Sequence, residues 1–150
     1  CESCRAFYPI VKRIMAQHPA DVRLVLRYAA FHKGSDEAVK IIEAARMQDK
    51  LVPVLEALLD KQPIWADHRR PDLAIAWEAA RAAGLDIDRA RKDAQRPELD
   101  AVLKQDAADI KTLNVRGTPT FFVNGKPLPS FGPQQLADLV KSEVEAARKK

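Results

Sequence analysis

The hydrophobic pattern at the start of the chain predicts a helix followed by a strand. Residues 1–16 carry an apolar stripe at helical spacing, made of Phe7, Ile10, Val11 and Ile14. Pro9 lies inside this helix, where its missing backbone N–H group implies a kink. In residues 22–30 apolar side chains alternate with Arg23 and Arg27, and this pattern predicts a buried strand.

The middle of the chain, from Ser35 to about Asn114, has a helical pattern throughout. Ser35 is followed by two acids, which is typical of a helix N-terminus because a capping oxygen and negative charge both favour the free N–H groups there. Helix breaks are predicted at 48–49, 61–63, 70–71 and Gly84, with a cap at Asp86 and a new start at Pro97. The predicted core consists of Ile41, Leu55, Leu58, Leu59, Leu73, Ile75, Trp77, Leu99, Val102 and Leu103.

The pattern after this helical segment is that of a β-hairpin and a closing helix. β-Branched and aromatic residues predict a strand at 120–123, and Asn124-Gly125 favours a type I′ turn, which needs positive φ at both central residues. We expect residues 126–128 to form the return strand at a sheet edge, because Pro127 cannot donate to a ladder. An amphipathic helix is predicted from residue 134 to about residue 148.

The order of these elements predicts an α/β fold whose sheet needs one more strand. A helix that leads into a sheet strand is normally preceded by a parallel partner strand, in a right-handed βαβ unit. We therefore expect a strand from residues ahead of Cys1, lying between residues 22–30 and residues 120–123. Without that strand, two rows of unpaired backbone groups would face each other across the sheet.

The composition is that of a soluble globular protein and argues against two functional classes. At 150 residues, with 47% hydrophobic and 31% charged residues, the chain has the size and balance of one ordinary domain. No run of about 18 apolar residues is present, so no membrane span is predicted. The net charge of +4 comes from basic residues interleaved with acids, which indicates solvated helix faces rather than a nucleic-acid-binding surface.

The two cysteines of the chain, Cys1 and Cys4, lie at the start of the first predicted helix. A disulfide between them closes a very small loop and constrains little of the unfolded chain, so a chemical role is favoured over a structural one. Free N–H groups at a helix N-terminus lower the pKa of a thiol there, which favours the reactive thiolate at Cys1. We expect Cys1 to be the more exposed sulfur and Cys4 the more buried, as suits exchange through a mixed disulfide.

A structural zinc site is the alternative interpretation of the CxxC pair. Such a site takes four ligands, but the chain has no second CxxC pair and no pair of histidines at ligand spacing. His18, His32 and His68 are scattered singly along the chain. We therefore predict that the cysteines bind no metal.

Two segments of the chain carry a family resemblance. CESCRAFYP, with Pro9 five residues after Cys4, resembles the active-site helix of the thioredoxin superfamily. RGTPTFFVNG, with Thr118-Pro119, resembles the cis-proline loop of the DsbA-like thiol:disulfide oxidoreductases. The resemblance covers essentially the whole chain. It implies a thioredoxin-like α/β fold with an inserted helical subdomain, whose first core strand is missing from the chain that begins at Cys1.

The resemblance also implies a domain plan and a set of site residues. Residues 1–34 and 115–150 are expected to form the thioredoxin-like core, and residues 35–114 the inserted subdomain. The implied site consists of Cys1 and Cys4 as the catalytic pair and Thr118 and Pro119 as the substrate-binding loop. A cis bond before this proline would leave the threonine backbone free to pair with an extended substrate.

The dipeptide between the cysteines departs from the patterns of better-known family members. Glu2-Ser3 stands where strongly oxidising DsbA has Pro-His and thioredoxin has Gly-Pro. A carboxylate this close to the nucleophile opposes thiolate formation by on the order of 1 kcal/mol. We therefore expect Glu2 and Ser3 to tune the redox potential to a value between roughly −270 mV, as in thioredoxin, and roughly −120 mV, as in DsbA.

Further candidates for the neighbourhood of the site have two interpretations each. His32 follows the predicted strand and lies either near the disulfide or in an exposed loop. Arg5 and Arg116 either flank the site or are ordinary surface arginines. The aromatic residues Phe7, Phe121, Phe122 and Phe131 form either core or groove lining, and we expect Phe122 in the core.

The function that the resemblance implies is disulfide exchange with extended polypeptides that carry cysteines. The expected enzyme uses no cofactor beyond its own cysteine pair, and a redox partner recycles its disulfide. The family works in the bacterial periplasm, so a periplasmic location is expected, with a signal peptide outside this sequence; no dimerisation domain is evident, so a monomer is expected. The alternatives are a thioredoxin-fold peptide-binding chaperone or adaptor, a thiol peroxidase, and a glutathione-dependent transferase or isomerase.

Overall fold

A computed structural model describes every residue from Cys1 to Lys150. The helices are α1 (Glu2–Gln17), α2 (Ser35–Met47), α3 (Leu51–Asp60), α4 (Gln62–Trp65), α5 (Leu73–Ala82), α6 (Ile87–Asp93), α7 (Pro97–Thr112) and α8 (Pro133–Arg148), and the strands are β1 (Phe122–Val123) and β2 (Lys126–Pro127). The chain divides into two compact units, Cys1–Leu26 with Gly117–Lys150, and Arg27–Arg116. None of the helices combines the length and the apolar character that a membrane span requires.

The first unit is built on α1 and α8, and both helices agree with the prediction. Cys1 is the N-cap of α1, and Pro9 lies inside the helix as expected. The apolar stripe of α1 packs against α8, and the buried residues of this contact are Ile14, Leu136, Val140 and Val144. Such a stripe makes a helix stable because tertiary burial, rather than intrinsic propensity, supplies most of a helix's stability in a protein.

The predicted hairpin forms, with shorter strands than expected. β1 and β2 are antiparallel, with Phe122 opposite Pro127 and Val123 opposite Lys126. The turn residues Asn124 and Gly125 have φ values of 49° and 79°, which confirms the positive φ that the sequence predicted at both positions. An ion pair between Lys126 Nζ and Glu143 Oε2, at 2.9 Å, fastens the hairpin to α8.

The expectation that Phe122 lies in the core is wrong. Its side chain is 42% exposed, whereas Phe121 and Val123 pack against the buried cluster of the first unit. Successive side chains of a strand point to opposite faces. The neighbours of Phe122 take the inner face of the hairpin, and Phe122 is therefore left on the outer face.

The strand predicted over residues 22–30 is also absent. No secondary structure is assigned there, and the sheet contains β1 and β2 alone. A strand exists only when its backbone pairs with a neighbour, and residues 23–26 make no hydrogen bond to another backbone group. The apolar alternation of this segment favours an extended strand, but no other segment between Cys1 and Lys150 pairs with its backbone.

The second unit is helical, as predicted, and contains the larger core. Its buried cluster consists of Ile41, Ala44, Ala45, Val54, Leu58, Ala76, Trp77, Ala80, Leu85 and Ala90. The predicted helix signals are confirmed at Asp86, which accepts a hydrogen bond from the Arg89 N–H, and at Pro97, which opens α7. The prediction that Ser35 caps α2 is wrong. Ser35 is the first helical residue, and Gly34, with φ of 80°, takes the N-cap position.

The second unit begins at Arg27 rather than at residue 35. Asp106 is buried and accepts two hydrogen bonds, from Arg27 Nε at 2.7 Å and from the Tyr28 backbone N–H at 2.8 Å. The Tyr28 hydroxyl donates to Glu43 Oε1 at 2.6 Å. These long-range bonds to helices of the second unit hold Arg27 and Tyr28 in it, and the sequence pattern carried no sign of them.

Replacing Tyr28 with phenylalanine is expected to lower the free energy of unfolding by about 1.5 kcal/mol, the lower end of the range for a hydrogen bond to a charged group, because the hydroxyl donates to the Glu43 carboxylate. Burial, together with the hydrogen bond to Glu43, raises the pKa of Tyr28, so the hydroxyl is a permanent donor in the physiological range. The variant leaves buried Glu43 with Arg46 as its remaining partner. Urea denaturation measures the loss, and a cycle with Glu43→Gln should show coupling between the two positions; purely additive losses would contradict the account.

Candidate active site

Cys1 and Cys4 form a disulfide at the N-terminus of α1, with their Cα atoms 5.2 Å apart. Both residues are half-buried. The Cys1 Sγ atom takes the position of a capping oxygen and accepts a hydrogen bond from the Cys4 backbone N–H at 3.0 Å. Free N–H groups at a helix start stabilise negative charge, so the local fold favours a thiolate at Cys1 once the disulfide is reduced.

The loop that contains Thr118 meets the cysteine pair from the other end of the chain. The Thr118–Pro119 peptide bond is cis, and both residues are half-buried. The Thr118 hydroxyl donates a hydrogen bond to Cys1 Sγ at 3.1 Å. Within the loop, Thr120 Oγ1 donates to the Gly117 carbonyl at 2.7 Å. Cys1 Sγ therefore has two donors, one from its own helix and one from a residue 117 positions away.

Three phenylalanine rings form a cluster on the first unit. The ring centroid of Phe7 lies 4.7 Å from that of Phe131 and 5.6 Å from that of Phe121. Phe7 follows Cys4 by three residues on α1, so the two side chains are neighbours on one face of the helix. Phe131 is 58% exposed, which gives the cluster an apolar surface open to solvent on the unit that also contains the disulfide.

The two residues between the cysteines, Glu2 and Ser3, lie in the first turn of α1 and are exposed. The carboxylate of Glu2 is adjacent in sequence to Cys1, as the tuning hypothesis requires. Its position in the first turn also favours the helix, because negative charge is stabilised there. The negative charge of Glu2 therefore stabilises the helix but destabilises the thiolate at Cys1.

Replacing Glu2 with glutamine is expected to lower the pKa of the Cys1 thiol by up to about one pH unit, since it removes a repulsion on the order of 1 kcal/mol. A lower thiol pKa stabilises the reduced form, so the redox potential rises by up to about 30 mV. The pH dependence of alkylation measures the first effect and equilibration with glutathione the second. Ser3→Ala, which changes no charge, is the matched control; unchanged values for Glu2→Gln would show that solvent screens the carboxylate.

Of the other predicted neighbours of the site, Arg5 lies on α1 in the first unit, whereas His32 and Arg116 belong to the second unit. His32 is an exposed residue whose ring stacks on that of His68, at 4.7 Å between centroids. Arg116 is also exposed, and its Nε donates to Asn114 Oδ1 at 3.2 Å. The side chains of His32 and Arg116 thus each have a partner within the second unit. No group of three or more histidine, cysteine or acidic side chains is arranged to hold a metal ion.

Curated relatives of the chain carry the matching segment within much longer proteins. A Na(+)/H(+) antiporter NhaA 1 of Mycolicibacterium vanbaalenii is 29% identical over 99% of this chain, which covers 24% of the antiporter. A Na(+)/H(+) antiporter NhaA of Herminiimonas arsenicoxydans is 31% identical over 86% of this chain, which covers 19% of that protein. The chain therefore spans a quarter or less of the length of these relatives.

A solved structure and a family model match the chain along most of its length. The crystal structure of a thioredoxin-like oxidoreductase from Silicibacter pomeroyi is 30% identical, with a TM-score of 0.79, and the match covers 100% of this chain and 82% of that one. The family model described as thioredoxin matches residues 1–142, from the CxxC pair through the cis-proline loop to α8. The predicted thioredoxin-like fold is confirmed, and the chain belongs to the thioredoxin family.

Proposed function

We propose that this protein is a DsbA-like thiol:disulfide oxidoreductase that exchanges disulfides with extended, cysteine-containing polypeptides. The observation that carries the proposal is the Cys1–Cys4 disulfide at the start of α1, whose first sulfur accepts the hydroxyl hydrogen bond of Thr118. Two donors on one sulfur stabilise the thiolate that leaves when a mixed disulfide is resolved. Cys1 is therefore the sulfur that substrates attack, and Cys4 is the resolving partner.

The oxidising direction of the exchange has two steps. A substrate thiolate attacks Cys1 Sγ, the bond between the two protein sulfurs breaks, and its electron pair leaves on Cys4 Sγ. A second substrate thiolate then attacks the substrate sulfur of the mixed disulfide, which forms the substrate disulfide and releases Cys1 as a thiolate. Two electrons pass from two substrate thiols to the cysteine pair, and the two protons pass to the protein thiolates or to solvent.

A polypeptide substrate is favoured over a small thiol by the surroundings of the disulfide. The Thr118–Pro119 loop borders Cys1, and an extended chain that pairs with its backbone lies across the sulfur. The exposed ring of Phe131, supported by Phe7, offers an apolar contact for a side chain of such a substrate. Neither feature is needed to hold glutathione or a peroxide.

The remaining parts of the proposal concern the cellular setting. The protein works as a monomer in the bacterial periplasm, uses no cofactor beyond Cys1 and Cys4, and depends on a redox partner to restore its disulfide. Both cysteines are committed to one pair, as suits a compartment in which other thiols are oxidised. The segment that this chain shares with the antiporter relatives is a minor part of those proteins. The proposal therefore concerns thiol chemistry and does not include ion transport.

Two assays test the proposal, namely reduction of insulin by dithiothreitol and oxidative refolding of reduced ribonuclease in a glutathione buffer. The wild-type protein should accelerate at least one of them, and a variant with serine at both positions 1 and 4 should accelerate neither. A peptide-binding chaperone would suppress aggregation equally well in both proteins. A peroxidase would consume peroxide with a dithiol donor but leave insulin untouched, and either result would overturn the proposal.

A further inference from the structure

The basic and acidic residues are divided unequally between the two units. The first unit carries nine of the 25 lysine and arginine residues and five of the 21 aspartate and glutamate residues. The second unit carries the remaining sixteen of each sign. The whole net charge of +4 therefore lies on the unit that contains the disulfide, although the two signs are interleaved along the sequence.

Two of the acids in the first unit are paired with bases outside α1. Asp21 forms an ion pair with Arg148, and Glu143 forms one with Lys126. The hydrogen bonds to these bases lower the pKa of both carboxyl groups, so the pairs are ionised in the physiological range. These two acids therefore do not neutralise the positive charge of α1.

The positive charge on α1 has little to offset it. The helix carries three cations, Arg5, Lys12 and Arg13, and a single acid, Glu2. The side chains of Arg5 and Arg13 form no ion pair and no hydrogen bond within the protein. Lys12 Nζ lies 5.8 Å from the centroid of the Tyr8 ring, and such a contact leaves the charge of the ammonium group intact.

The three cations form a basic face on the outer side of α1. Ile14 marks the buried side of the helix. At about 100° per residue, Arg5 and Lys12 lie roughly opposite Ile14, and Arg13 borders them. Lys12 and Arg13 are exposed, and Arg5 is half-buried. The basic face of α1, made of Arg5, Lys12 and Arg13, is thus open to a partner that approaches from solvent.

The basic face begins at the disulfide and leads away from it. Arg5 lies about 6 Å from Cys1 along the helix axis, and Lys12 and Arg13 lie roughly 16–18 Å from it. Salt screens exposed charges over about 30 Å at 10 mM and about 8 Å at 150 mM. Arg5 therefore acts on groups bound at the disulfide at physiological salt, whereas Lys12 and Arg13 act on them mainly when the salt concentration is low.

We propose that the basic face of α1 selects polypeptide substrates whose cysteines are flanked by acidic residues. Carboxylates beside the substrate cysteine are attracted by Arg5 at close range and by Lys12 and Arg13 during approach, which raises the rate of productive encounter. The same face repels a substrate with basic flanks. The inference rests on the proposed thiol chemistry and adds to it the class of substrate.

Three synthetic peptides test the proposal. Each carries the same two cysteines as free thiols, flanked on both sides by glutamates, by glutamines or by lysines. The oxidised protein converts the dithiol of the peptide to a disulfide and is itself reduced, and alkylation followed by mass spectrometry measures the rate constant. With the wild-type protein, the rate should rise from the lysine peptide to the glutamine peptide to the glutamate peptide at equal thiolate concentration, and the differences should shrink as salt is added.

Variants separate the charge of α1 from the chemistry of the peptide. Glutamates raise the pKa of the peptide's own thiols equally for every variant, so the glutamate-to-glutamine rate ratio is compared between proteins. At about 10 mM salt, Lys12→Gln/Arg13→Gln should lower this ratio about fivefold and Arg5→Gln about threefold; at about 150 mM the first effect should fall below about twofold. Lys92→Gln/Lys104→Gln, which removes two exposed cations of the second unit, is the matched control and should change the ratio by less than about twofold.

The possible outcomes separate this inference from the proposed function. Equal rate ratios in the wild type and in both α1 variants, together with rapid oxidation of the glutamine peptide, would overturn the inference alone. A protein that oxidises none of the peptides would overturn the proposed function and this inference with it. A DNA duplex that binds the wild type but not Lys12→Gln/Arg13→Gln, with no difference in the peptide ratios, would assign the basic face to nucleic acid instead.

Discussion

Replacing Cys1 with serine is expected to reduce disulfide exchange at least about a thousandfold, because losing the nucleophile of an enzyme removes most of its chemical acceleration. Replacing Cys4 with serine is expected to have a different result. Cys1 still attacks a substrate disulfide, but no second protein thiol resolves the product. The mixed disulfide between Cys1 and the substrate should therefore accumulate in stoichiometric amount.

Insulin reduction with dithiothreitol measures the loss of turnover. Mass spectrometry of the reduced variant mixed with insulin in the absence of dithiothreitol, which would itself resolve the mixed disulfide, detects the trapped species. The adduct should map to Cys1 in the Cys4→Ser variant and be absent from the Cys1→Ser variant. Ser142→Ala, an exposed change on α8, is a control that should behave as wild type. The two hydrogen-bond donors on Cys1 Sγ assign the attacking role to Cys1. An adduct on Cys4 in the Cys1→Ser variant, with none on Cys1 in the Cys4→Ser variant, would reverse these roles.

The elements that the sequence predicted correctly are those whose signals are local. The apolar stripe of α1, the cap at Asp86, the helix start at Pro97 and the Asn124-Gly125 turn each depend on a few neighbouring residues, and each is present in the structure. Backbone preferences and helical periodicity act within one or two turns of chain. Local sequence is therefore enough to place these elements to within a residue or two.

The predictions that failed depend on partners distant in sequence. Alternation over residues 22–30 suits a strand, but pairing decides whether one forms, and its predicted neighbour lies ahead of Cys1. Phe122 has the composition of a core residue, yet the face on which it lies is set by how Val123 packs on α8. The hydrogen bonds of Asp106 to Arg27 and Tyr28 join positions about eighty residues apart, and no local pattern in either segment predicts them.

The sequence identified the residues of the candidate site but not all of the contacts between them. The CxxC spacing and the Thr-Pro loop identify Cys1, Cys4, Thr118 and Pro119, because few arrangements of chain carry both motifs. The sequence assigned Thr118 a role through its backbone. The direction of its hydroxyl depends on a side-chain rotamer and on where the loop meets α1, and both are properties of the folded unit.

The hydroxyl of Thr118 gives the second of the two largest expected effects. Cys1 Sγ accepts hydrogen bonds from the Cys4 N–H at 3.0 Å and from Thr118 Oγ1 at 3.1 Å. A hydrogen bond to a charged group contributes about 1.5–3 kcal/mol, and the half-buried position of Cys1 favours the lower end of that range. Thr118→Val keeps the shape of the side chain but removes the donor. We therefore expect it to raise the pKa of the Cys1 thiol by about one pH unit.

The same substitution should make the protein a weaker oxidant. Losing the donor destabilises the thiolate more than the disulfide, whose sulfur carries no charge, so the redox potential should fall by up to about 30 mV. Thr118→Ser retains a hydroxyl and is the matched control. The ultraviolet absorbance of the thiolate, followed against pH, measures the pKa, and equilibration with glutathione measures the potential. If valine and serine at position 118 give the same thiol pKa as the wild type, the hydroxyl does not donate to the Cys1 thiolate, and the helix N-terminus alone stabilises it.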